Sequence, residues 1–304
     1  MVGHAEEMRA GNAIGKRGAD RLATGSDNEG QGRFMISVGK VWDRTVEVMA
    51  GRSAILAAIA LMLLFAPPVA QAAIDAVTGA SPALKFVGGL LSLTVFLAAT
   101  VAALAITAVA TDPAVDRPAA LAIGGGRIGP MLGVMIVLGL ALFVTALPGV
   151  LLLGTAGFDV ERARAGLSQD TLNVTRAGLA LLYFFALAIL WLWLAARLVP
   201  LIGVVVNERR GLGAIRRSIW LTRGSTLKLI GVLILYSVVL LVVLLAATSI
   251  VGLIVRLIVG ADGIAAVAFV TALVTAAVTA VFSVLQSVFS GQFYVAAREA
   301  RDPA

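Results

Sequence analysis

The chain has 304 residues, of which 60% are hydrophobic and 13% charged, with a formal net charge of +7. It contains no cysteine, which excludes disulfides and cysteine-based metal sites. The basic residues cluster in alternate connections between apolar runs. That distribution is the signature of membrane topology and argues against nucleic acid as a partner.

Residues 1–33 are rich in Gly, Ala, Asn and charge and show no apolar period, so a disordered tail is expected there. The first long apolar run begins only at Ser53, after this charged segment, so it reads as a retained span and not a signal peptide. Over 34–52, Val38, Val41, Trp42, Thr45, Val48 and Met49 recur at helical spacing, opposite Lys40, Asp43, Arg44 and Glu47. This predicts an amphipathic helix, either lying in the headgroup layer or packed on neighbouring loops.

Six apolar stretches follow within residues 53–297: Ser53–Ile74, Phe86–Ala110, Met131–Leu153, Gly178–Val199, Leu229–Val255 and Ile264–Phe289. Each approaches or exceeds the roughly 20 residues a helix needs to cross the hydrocarbon core. The expected fold is an all-α, polytopic transmembrane helical bundle of six spans, with cytoplasmic interfacial helices. Pro67 and Pro68 should bend the first span. Residues 111–130 are expected to be a connection, with Gly124, Gly125 and Gly126 as a flexible turn before span 3. Gly124, Gly126 and Gly129 match a dinucleotide fingerprint by letter, but no strand precedes them and a membrane helix follows. Trp191 and Trp193 lie toward one end of span 4, where an interfacial belt is expected.

Span 6 carries two rows of small residues: Thr271, Thr275 and Thr279, continued by Ser283 and Ser287, beside Ala268, Ala272, Ala276 and Ala280. Such rows favour close helix packing, and they permit self-association without requiring it. A solute path along the hydroxyls is the alternative. A weak internal repeat aligns Arg127–Pro130 with Arg223–Thr226, giving two halves of three spans.

The N-terminal segment, the 2–3 connection and the 4–5 connection are basic. This places the protein in the cell inner membrane as a multi-pass protein with both termini cytoplasmic. No catalytic constellation stands out. His4 has no evident partner, the acids are scattered, and no cofactor or metal is expected. The densest set of candidates is the 4–5 connection. Arg197 lies at the end of span 4, followed by Pro200, Glu208, Arg209 and Arg210. Arg216, Arg217 and Arg223 then surround a narrow stripe of Leu212, Ile215 and Ile219, with Trp220 beside it. A short interfacial helix ended by Gly224 is expected there. Glu208 could pair with Arg197 or with an arginine of that helix.

At Arg197, Pro200, Glu208, Ala214, Arg217, Ser218, Leu221, Thr222 and Gly224 the chain resembles the membrane domain found in glycerophosphoryl diester phosphodiesterases and the related YciC-like integral membrane proteins. Phe34 to Trp42 at the start, and Tyr294 with Arg298 and Arg301 at the end, extend the resemblance across residues 34–301. It implies a helical module of about six spans. The catalytic domain that follows in some relatives is not expected in a chain ending at Ala304, so enzymatic activity is not expected either. The function expected is a non-catalytic module contacting the phospholipid bilayer through anionic head groups, or docking a protein partner, on its basic 4–5 loop. The alternative is a transporter of a lipid or small solute.

Overall fold

The computed structural model describes residues 37–77, 82–166, 172–260 and 263–302. The tail expected over 1–33 lies outside these residues, as do Phe34 to Ile36. Among the described residues the fold is entirely helical.

Helix α1 (Val38–Gly51) is N-capped by Ser37, whose Oγ accepts from the Lys40 amide. The first span is α2 (Ser53–Ala60), a π-helical stretch over Leu61–Phe65, and α3 (Ala66–Val77). The π-helical stretch lies directly before Pro67 and Pro68, where the missing proline donors disturb regular α-helical bonding. The second and third spans are α4 (Pro82–Thr111) and α5 (Arg117–Thr155). A single turn, α6 (Val160–Arg164), leads to α7 (Val174–Arg197). Two short helices follow, α8 (Leu201–Asn207) and α9 (Gly213–Leu221), and then the long α10 (Thr226–Val259) and α11 (Ile264–Arg301).

Six helical segments are long and apolar enough to cross a membrane, so the protein is a membrane-embedded helical bundle. Two of them are much longer than a bilayer is thick. At 1.5 Å per residue, the 39 residues of α5 extend about 58 Å, against about 30 Å of hydrocarbon. The 38 residues of α11 extend about 57 Å. Residues 298–301, beyond the 53–297 expected for the spans, belong to this helix.

The structure corrects the expected 2–3 connection. It is confined to Asp112–Asp116, and Gly124 to Pro130 lie inside α5. Asp116 caps that helix by accepting from the Ala119 amide at 2.9 Å, with Pro118 in the first turn. Gly124 is needed for contact: a Cβ there would meet the Val101 carbonyl oxygen of α4 at 2.8 Å. Gly124 is therefore a helix-packing position, whereas Gly125 and Gly126 lie on the exposed side of the same helix. In the aligned repeat, Arg127–Pro130 is mid-helix whereas Arg223–Thr226 makes a turn into α10, so these two runs are not structural equivalents.

Burial is concentrated at one end. Half of the most apolar window of α4 is buried, against 6% for those of α5 and α10, which makes α4 the central span. Its C-terminal half (Ala102, Leu104, Ala105, Ile106, Val109) packs with Val204 and Val205 of α8 and with Val288, Phe293 and Tyr294 of α11. Helix α1 closes this core with Val41 and Thr45, and Arg44 bridges to Glu299 of α11 at 3.2 Å. Helix α1 thus packs on α11, the last span. We call this the basic end. Toward the opposite end, Phe143, Leu151, Leu253, Ile258 and Ile264 are exposed, as bilayer-facing side chains would be.

Candidate functional site

The basic end is built around a broken helix. Helix α7 stops at Arg197, and Pro200 restarts the chain as α8. A helix C-terminus leaves carbonyls without partners. The Ser218 hydroxyl donates to the Arg197 carbonyl at 2.9 Å, and the Thr222 hydroxyl lies 3.3 Å from the same oxygen. Helix α9 thus serves as a side-chain cap for α7. Its buried face is Ala214, Ser218 and Leu221, continued by Thr222. Gly224, with φ +83°, closes the turn into α10 in a conformation that favours glycine.

The expected stripe of Leu212, Ile215 and Ile219 on an interfacial helix lies beside this face. Leu212 is 56% exposed, and Ile215 and Ile219 are half-buried, with Ile215 packed against the core. The hydroxyl face turns inward because the α7 carbonyls need donors, leaving the aliphatic stripe nearer the surface.

The arginines divide into two groups. Glu208 accepts from Arg217 Nε at 2.9 Å and pairs with Arg210 Nε at 3.0 Å, and the Tyr294 hydroxyl lies 3.4 Å from its Oε1. Arg217 also bonds Asp302 and stacks over Trp220 at 4.7 Å. Burial works against the charge on Arg217, but hydrogen bonds and negative charge from Asp302 and Glu208 outweigh it and hold the guanidinium above its ordinary pKa. Arg217 is therefore committed to holding the structure together. Arg197 donates to the Ile219 carbonyl at 3.2 Å and lies over Trp193 at 5.0 Å, so it does not pair with Glu208. Arg301 stacks on the Trp220 ring at 5.1 Å and donates to the Arg223 carbonyl. By contrast, Arg209, Arg216 and Arg223 are exposed, and among the described residues their side chains form no ion pair. Arg209 holds φ +54° in the tight connection before α9.

Two determinants were not apparent from sequence. Arg52, between α1 and α2, donates to the carbonyls of Val109, Asp112, Pro113 and Val115. One guanidinium thereby satisfies the C-terminus of α4, where a cation also complements the helix dipole. Its only sequence signal is a lone cation where an amphipathic helix meets a span. Gly203 is the second: a Cβ there would sit 2.6 Å from Tyr294 Cβ, so α8 and α11 touch at backbone distance. Gln292 donates to the Ala110 carbonyl and Ser290 to that of Val199, which ties α11 to both broken ends.

The two rows on α11 have mixed surroundings. Ala276 and Ala280 are buried, Thr271 and Ala272 half-buried, and Ala268, Thr275 and Thr279 exposed. The Thr271 methyl meets α10 at Gly252, where a Cβ would approach it to 3.2 Å. The Thr271 and Thr275 hydroxyls donate to carbonyls of their own helix, at Val267 and Thr271, both at 2.8 Å. The indole N–H of Trp191 donates to the Thr145 hydroxyl of α5 at 3.2 Å.

A mainly apolar cavity of about 710 Å3 lies among α1, α4, α7, α8, α10 and α11, with Trp42, Ala103, Leu198, Tyr236, Phe282 and Ser287 in its walls. The Tyr236 hydroxyl donates to the Phe282 carbonyl at 3.1 Å. No group of three or more His, Cys, Asp or Glu residues comes together among the described residues. No family model, curated protein or solved structure matches the chain.

Proposed function

We propose that the protein is a non-catalytic membrane module that contacts anionic phospholipid through its basic end, which lies on the cytoplasmic side of the inner membrane. The observation that carries this reading is the division of the arginines. Arg217 is consumed by Glu208 and Asp302, whereas Arg209, Arg216 and Arg223 stay exposed close to Leu212 and to Leu227, which is 83% exposed. Basic and aliphatic side chains side by side suit the headgroup boundary, and each cation near an anionic surface is worth about 1 kcal/mol. The resemblance to phosphodiesterase-associated membrane domains is part of the proposal. The residues of that run act here as a helix cap (Ser218, Thr222), a turn (Gly224) and an ion pair (Glu208–Arg217), all structural roles.

The test is limited proteolysis of the connection at 207–213 by a nonspecific protease, in nanodiscs with and without anionic lipid. Protection should appear only with anionic lipid and disappear in Arg209→Gln/Arg216→Gln/Arg223→Gln. Equal cleavage in both lipids would refute lipid contact and direct the search to a protein partner for the same face.

The cavity favours a second reading, movement of an amphiphile, because apolar clefts of roughly 300–1,000 Å3 with a few polar groups are the usual form of a ligand site. Filling it with Ala103→Phe should then abolish lipid exchange between leaflets in proteoliposomes. Absence of exchange in the unmodified protein would sink that reading.

A further inference from the structure

We infer that Arg197 and Arg301, with Arg223 beside them, form a discrete site for one phosphate-type anion. The inference rests on the membrane-contact reading only for placing this end at a lipid surface, and it is distinct from diffuse attraction by the exposed arginines.

The argument starts from charge. Arg197, Arg210, Arg217, Arg223 and Arg301 come together on α7, α9, α11 and the turns between them, and the positive charges of Arg197, Arg217 and Arg223 all act on Arg301. The carboxylates that pair within this group are Glu208 and Asp302, and both are occupied by Arg210 and Arg217. Among the described residues Arg197 and Arg301 have no acidic partner. Gathering like charges in a half-buried place is unfavourable unless a counter-charge compensates.

The second observation is independent of charge counting. Arg197 Nε is buried and has no hydrogen-bond partner. Such a donor normally finds one, and an orphaned guanidinium nitrogen calls for an acceptor absent from the protein itself.

The third is geometry. The Arg301 guanidinium lies against the Trp220 ring and is tied at one nitrogen to the Arg223 carbonyl. Arg197 is held by the Trp193 ring and the Ile219 carbonyl. A guanidinium is planar, so the N–H groups it does not use on carbonyls form a fork that matches an oxyanion. Backbone carbonyls and indoles thus fix two forks without neutralising either. The ligand chemistry is a phosphate oxyanion, supplied by a phospholipid head group or by free phosphate.

The experiment is native mass spectrometry of the full chain in neutral detergent with added phosphatidylglycerol, then with inorganic phosphate as competitor. The unmodified protein should retain one phospholipid, and Arg301→Gln should lower retention about tenfold, the loss expected for one charge-assisted contact. Arg301→Lys keeps charge without the fork and should bind with intermediate strength, which guards against a folding defect in the Gln variant. Displacement by inorganic phosphate would show that the site also takes the free ion; no displacement would assign it to the lipid head group. Undiminished retention in Arg301→Gln and Arg197→Lys would overturn the site. If Arg209→Gln/Arg216→Gln alone reduced retention, the discrete site would fall while the surface-contact reading stood.

Discussion

The two ends of the bundle are held together differently. At the basic end, polar side chains stitch helix to helix. Arg52 caps α4, Ser218 and Thr222 cap α7, Gln292 and Ser290 reach from α11 to the carbonyls of Ala110 and Val199, and Glu208 joins α9 to its preceding loop. At the other end such ties are fewer: Arg176 donates to the Thr155 carbonyl at the end of α5 and Gln71 to the Ser92 hydroxyl, whereas Thr271 and Thr275 bond within their own helix and large aliphatic side chains are exposed. The difference follows from the ends of the elements. Helix ends expose carbonyls that must find donors, whereas continuous spans satisfy themselves. The helix ends gathered at the basic end therefore concentrate specific chemistry there.

Substitutions should separate the ends, and the largest effect is expected at Arg52. Arg52→Ala removes the donor to four carbonyls at the end of α4 and in the connection after it, and should destabilise the protein by about 3–4 kcal/mol, since hydrogen bonds to charged groups contribute about 1.5–3 kcal/mol each and do not add fully. A large drop in thermal midpoint in detergent is the expected result; a drop no greater than for an exposed arginine would break the comparison. Next is Gly203→Ala, whose new methyl would press on Tyr294 at 2.6 Å and should cost about 1–3 kcal/mol by overpacking. Glu208→Gln comes third, at about 2 kcal/mol. It leaves Arg217 with Asp302 alone, and a double-mutant cycle with Arg217→Gln should show coupling. Smallest is Thr275→Ala at the opposite end, where an exposed hydroxyl returns to its own helix; the change should stay within about 0.5 kcal/mol. A loss there comparable to that at Gly203 would show that the outer end is held as specifically as the basic one.

The spans could be read from sequence because hydropathy over some twenty residues is a local property and the bilayer imposes it. Contacts between helices are not local. Gly124 to Gly126 and Pro130 carry the chemistry of a turn, yet they form helix, because Gly124 lets α5 meet the Val101 carbonyl of α4 at a distance no side chain allows. In α9 the aliphatic stripe drew attention, and the buried face proved to be the hydroxyl-bearing one. What decides that face is the unsatisfied carbonyl of Arg197, 21 residues earlier. The arginines of the 4–5 connection stand close together in sequence, but sequence does not separate Arg217, anchored by Glu208 and Asp302, from Arg216 and Arg223 beside it. Arg52 carries no local signal because its partners lie about 60 residues away.

The most direct test of the central claim is hydrogen–deuterium exchange of residues 212–223 in nanodiscs of neutral lipid and in nanodiscs containing phosphatidylglycerol. The account predicts slower exchange across α9 and its flanking turns in the anionic discs, abolished by Arg209→Gln/Arg216→Gln/Arg223→Gln while exchange in α4 is unchanged. Identical exchange in the two lipids would contradict it.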